Sequence, residues 1–136
     1  MEKRSFTWRA WAPDCIERNG KYYFYYPVDA GKIGVAVGNT PYGAFSDPLD
    51  SALIHTHSRG VVCERDFIDP CVFIDDDGQA YLYMGQLVVN AIRLNGDMIS
   101  YDGEVHQLEG TDDFFEAVWM HKYRGKYYLS YAAVSG

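Results

Sequence analysis

The sequence predicts an all-β chain, part of a β-propeller, with about two and a half blades of antiparallel sheet. Three observations predict it. Aromatic-rich runs of strand length recur: KYYFYYP at 21–27, AYLYMG at 80–85 and KYYLSYAA at 126–133, and aromatic residues favour strands. Each run follows a Gly turn, in RNGK at 18–21, DDGQ at 76–79 and YRGK at 123–126. Gly tolerates the positive φ that tight hairpins need. The turn glycines Gly20, Gly78 and Gly125 are 58 and 47 residues apart, close to the length of a four-stranded blade. Helix signals are nearly absent.

The elements follow from this phase. In a first repeat, 1–60, WAPDCIERN is the inner strand and KYYFYYP its hairpin partner. KIGVAVG (32–38) is the third strand, and a ragged outer strand falls near 52–55. In a second repeat, 61–110, DPCVFIDDD pairs with AYLYMG, then LVVNAIRL (87–94) and an outer strand near 104–108. A further turn signal, LNGD, lies at 94–97. The third repeat, 111–136, holds only the hairpin of EAVWMHKYR and KYYLSYAA. Propellers close with about four to eight blades, so these repeats predict a single incomplete domain. A homo-oligomer could complete the ring. No Pro/Gly/Ser-rich linker divides the chain.

Composition narrows the partners. The net charge is −7 with no Lys/Arg-rich run, which disfavours nucleic acid. No apolar run has the roughly 18 residues of a membrane helix. The start, MEKRSFTW, has no apolar h-region of a signal peptide. The expectation is a cytoplasmic chain, or a secreted one whose leader lies outside this sequence. Three cysteines, Cys15, Cys63 and Cys71, form no disulfide framework and read as buried, reduced thiols. Twelve Tyr, seven Phe and three Trp suit strands, and their flat faces also suit sugar rings.

Nine residues before each turn Gly stand Trp11, Asp69 and Glu116. Equivalent positions, where the chain enters the innermost strand, converge near a propeller's axis. One aromatic and two carboxyls would then share a funnel. Cleaving a glycosidic bond needs a proton donor for the leaving oxygen and a base for water, and neighbouring carboxyls move each other's pKa. The plain alternative is that Asp69 and Glu116 bind backbone amides. Asp75, Asp76 and Asp77 lack calcium-loop spacing and read as a turn. His55 and His57, with Cys63 nearby, fall short of a zinc set. Arg65 and Asp66, just before Asp69, could reach the funnel or form a loop ion pair, and the ion pair is the favoured reading. By strand alternation His121 and Trp119 point away from Glu116, Trp119 to pack and His121 to pack or anchor a polar group.

WAPDCIERNGKYYFYYP, IGVAVGNTPYGAFSDP, IDPCVFIDDDGQAYLYMG and FFEAVWMHKYRGKYYLSYA, collinear along nearly the whole chain, resemble glycoside hydrolase family 43. The resemblance implies a five-bladed β-propeller that hydrolyses xylosides and arabinofuranosides of hemicellulose with inversion. It implies Glu116 as general acid, although Ala117 stands where many members have Gly. It implies Asp69 as pKa modulator and Trp11 in the sugar pocket. Phe67 is expected there too, and Trp8 could stack on sugar. The family's general base, an Asp of the first blade, has no counterpart in this chain. What remains resembles blades two, three and half of four, so the isolated chain is expected to be weak or inactive. No cofactor is expected. The resemblance allows a central structural calcium ion, whose usual ligands are not evident here. The alternatives are a non-catalytic carbohydrate-binding or propeller-assembly module, or a protein-interaction fragment.

Overall fold

A computed structural model describes residues 11–135. Among them there is no helix. Ten strands form three antiparallel sheets. The first holds β1 (Asp14–Arg18), β2 (Lys21–Val28), β3 (Lys32–Gly38) and β4 (Ile54–His55), in that order. The second holds β5 (Cys71–Ile74), β6 (Ala80–Met84), β7 (Asn90–Leu94) and β8 (His106–Gln107). The third is the hairpin of β9 (Phe114–Tyr123) and β10 (Lys126–Ala133). The sheets do not close into a ring, and the chain is a partial propeller.

The turn glycines act as the sequence predicts. Gly20, Gly78 and Gly125 have φ of 80°, 85° and 75°, each closing a hairpin of an inner strand. In the Asp-rich turn, Gly78 N–H donates to Asp75 O at 2.9 Å, and Asp77 Oδ1 accepts from Gln79 N–H at 2.9 Å. Asp75 does more than turn the chain. Its carboxylate takes Lys122 Nζ at 3.2 Å and the Tyr127 hydroxyl at 2.5 Å, latching the second sheet to the third.

Two cores lie between the sheets. Tyr25, Ile33, Ile54, Phe67, Leu82 and Met84 bury together between the first sheet and the second. On the other face of the second sheet, Cys71, Tyr83, Val89, Phe114 and Val118 pack towards the hairpin. Strand β6 shows why: Leu82 and Met84 serve one core and Tyr83 the other, the period-2 alternation of a strand buried on both sides. The Tyr25 hydroxyl, fully buried, donates to Met98 O at 2.7 Å.

The inner strands β5 and β9 are edges of their sheets, where backbone N–H groups need other acceptors. Side chains from the preceding repeat provide them. Asp14 Oδ2 accepts from Val72 N–H at 2.9 Å, and Cys71 Sγ from Met120 N–H at 3.4 Å. Asp14 is held with its carboxyl above the usual range, chiefly by burial. These contacts hold β1, β5 and β9 side by side.

Several expectations need correction. The third strand of the second repeat starts at Asn90, not Leu87, because residues 85–89 turn: Gly85 has φ 128° and Leu87 φ 67°. Of the cysteines, Cys71 is buried, with its thiol pushed up to about 11 by burial, but Cys15 is exposed. The alternation of β9 is also broken. Trp119 pairs with Ser130 and Glu116 with Ala132, three steps on β9 against two on β10. Ala117, at φ 62°, marks this bulge, so odd spacing does not separate Trp119 and His121 from the Glu116 face. Trp119 is 51% exposed rather than packed, and the exposed His121 ring stacks on Tyr128 at 5.4 Å.

Candidate active site

Three loops meet around Asp69 and Glu116. The first is the approach to β5, where Phe67 N–H donates to Ala30 O at 2.7 Å and anchors the segment. Asp69 follows at φ 56°, a left-handed conformation that Asp tolerates better than most residues. The second is the turn after β6, tied back by Gly85 N–H to Ile68 O at 2.9 Å. The third is the β9 bulge, tied to that turn by Leu87 N–H donating to Phe115 O at 2.9 Å.

Side chains complete the linkage. Asp69 Oδ2 accepts from Ala117 N–H at 2.8 Å, one residue past Glu116. Glu116 Oε2 accepts from Gln86 Nε2 at 3.0 Å. Asp69 is only 8% exposed. Burial pushes its carboxyl above the usual carboxylate range and the Glu116 charge pushes it further, while the Ala117 N–H pulls it back. One carboxyl is therefore buried and reluctant to ionise. The other is partly exposed beside it, with one oxygen held by a neutral amide.

The two carboxyls singled out at equivalent repeat positions are thus brought together. Trp11, 47% exposed, stands just ahead of β1. Phe67 is different: it is fully buried in the first core. It has no face left for a sugar, which corrects the expected pocket role. Trp8 lies outside the described residues. Arg65 and Asp66 do not make the expected ion pair, since the ion pairs among the described residues are those of Lys122 with Asp75 and Asp76. Asp66 instead offers its backbone N–H to Gln86 Oε1 at 3.4 Å.

Gln86 is the residue that sequence reasoning missed. Its signal was faint: a lone polar side chain between the apolar runs AYLYM and LVV. An open cleft of about 380 Å³ runs along β1, β5 and β9, lined by Asp14, Cys15, Val72, Trp119, His121 and Lys122 among others, and Trp11, Asp69 and Glu116 do not line it. Among the described residues no group of three or more His, Cys, Asp or Glu could hold a metal ion. His55 and His57, with rings 6.1 Å apart, have no third such ligand beside them among the described residues.

Comparison with known proteins identifies the family. An α-L-arabinofuranosidase structure from Clostridium thermocellum superposes with a TM-score of 0.85 at 45% identity, over 92% of this chain and 43% of that one. A β-xylosidase/α-arabinofuranosidase from a compost microbial metagenome, solved with xylotriose in a calcium-free form, gives 0.74 at 31% identity, over 91% and 49%. The xylosidase/arabinosidase 43A of Humicola insolens is 32% identical, over 90% of this chain and 50% of its own length. The chain therefore spans about half the length of these relatives or less. The family model for glycosyl hydrolases family 43 matches residues 1–136, and with the propeller sheets and the paired carboxyls in place, the chain belongs to that family.

Proposed function

We propose that this chain carries the acid side of an inverting glycoside hydrolase site for xylosides or arabinofuranosides. The observation that carries the reading is the link from buried Asp69 to the N–H of Ala117, beside Glu116. Glu116 is partly exposed and lies in a β-bulge, the kind of irregularity that re-aims a side chain. In the proposed step the Glu116 carboxyl gives its proton to the glycosidic oxygen as the C–O bond breaks, and water attacks the opposite face of the sugar. Asp69 is assigned the modulating role in this step because it is the carboxyl bonded to the backbone beside the acid. It also holds the bulge in register through Ala117. Trp11, half-exposed ahead of β1, is assigned as the aromatic contact for the sugar. None of these residues activates the water, so the base belongs to residues beyond those assigned here, and turnover by the isolated chain is expected to be weak.

The test is turnover of aryl xyloside and aryl arabinofuranoside by the native chain and by Glu116→Gln, each alone and mixed with the complementary blades of a relative. Loss of the acid should lower the rate about 10²–10⁴-fold. Equal rates for the two proteins would sink the assignment. The half-exposed Trp11 and Trp119 favour one second reading, a carbohydrate-binding module. It predicts sugar binding with no turnover in any mixture.

A further inference from the structure

We infer that Gln86 is a positioning residue that selects which oxygen of Glu116 carries the acid proton. This rests on Glu116 being the proton donor proposed above. Gln86 is only 6% exposed, and a buried amide must have partners at both ends. At one end Oε1 faces the backbone N–H of Asp66 at 3.4 Å. An N–H can only donate, so the oxygen of the amide must point there. The Nε2 end is thereby turned to Glu116 Oε2, at 3.0 Å.

The backbone is built to hold this pose. A Cβ on Gly85 would come within 2.2 Å of Val88 O and 3.3 Å of Asn90 Nδ2, and Gly85 has φ 128°. Only glycine fits, and the sharp turn it permits places Gln86 inside the site. Leu87 follows at φ 67° with its N–H on Phe115 O. The turn that carries Gln86 is thus bonded to the strand that carries Glu116.

The choice of an amide has a chemical consequence. A cation at this place would favour the carboxylate and oppose proton donation. Gln86 brings no charge. In a protonated carboxyl the carbonyl oxygen accepts hydrogen bonds better than the hydroxyl oxygen does. The Nε2–H donor therefore makes Oε2 the carbonyl and leaves Oε1 as the hydroxyl that faces the leaving group. Gln86 takes no proton and touches no substrate atom.

The carbonyl stretch of the protonated Glu116 reads this directly. The chain is labelled with carboxyl-¹³C glutamate, and infrared spectra are taken in acid. Subtracting Glu116→Gln isolates the Glu116 band. A hydrogen-bonded carbonyl absorbs at lower frequency than a free one. The native band is expected at the lower position and should shift upward in Gln86→Leu and Gln86→Met, which have no donor. A native band already at the free-acid position would overturn the inference, and that reading needs no Gln86 variant to fold. An unshifted band in a folded Gln86→Met chain would overturn it as well. The measurement is independent of turnover. If Glu116→Gln keeps its rate, the acid role fails while the band still reports the contact. If the band is free and the rate falls, only the role of Gln86 fails.

Discussion

Asp69 separates the cost of a buried charge from the value of the bond it makes. Asp69→Ala removes the acceptor of Ala117 N–H and places Ala at φ 56°. Losing the acceptor of a part-buried donor costs about 1 kcal/mol and a left-handed backbone without Asp's tolerance about 1–2 kcal/mol, for a total of about 2–3 kcal/mol. With a urea slope of about 2 kcal/mol per molar, the unfolding midpoint should fall by about 1–1.5 M. Asp69→Asn keeps an oxygen for Ala117 and tolerates the same φ, so it should avoid this loss. The two differ again with pH. The folded carboxyl is raised above its ordinary value by burial, then by Glu116. Its protonated form stabilises the fold fully below the unfolded pKa of about 3.9, and that contribution is lost as pH rises through the folded value. Asn does not titrate. Urea unfolding of the three proteins at steps from pH 3 to pH 7 should show Asp69→Asn gaining on the native chain with rising pH, and at least matching it at pH 7. An Asn variant as unstable as the Ala variant, or a native-minus-Asn difference that is flat with pH, would refute the reasoning.

Two further outcomes follow from the same loops. Phe67→Ala should destabilise the fold by about 3–5 kcal/mol, the cost of emptying a large aromatic site in a core, since Phe67 is fully buried. Thermal unfolding checks this, and sugar affinity lost while the fold is untouched would restore Phe67 to the pocket. Gly85→Ala should cost about 2 kcal/mol or more, because the added Cβ meets a backbone carbonyl rather than a movable side-chain end. A melting temperature equal to the native one would show that the turn is not held as described.

What the sequence made legible was set by features that repeat, and what it hid was set by features that occur once. Turn glycines repeat, so aligning Gly20, Gly78 and Gly125 was enough to find the sheets and to place Asp69 and Glu116 at equivalent positions. A strand buried on both faces is likewise visible in AYLYM, where every side chain is apolar or aromatic. The bulge at Ala117 has no such mark. Residues at positive φ are commonly Gly, Asn or Asp, and an Ala in VWMHKY-type strand sequence gives no warning that the alternation slips, so simple parity puts Trp119 and His121 on the wrong face. Phe67 failed for a related reason. Nearness in sequence to Asp69 said nothing about which way a side chain leaves a left-handed backbone, and burial took it to the core. Gln86 was hidden most deeply, since its meaning depends on Gly85 turning the chain, on Asp66 fixing the amide, and on a bulge 30 residues later presenting Glu116. Each is local and unremarkable alone. The acid is thus recognisable from the repeat, but the way it is held arises where the regular pattern breaks, at Gly85, Leu87 and Ala117.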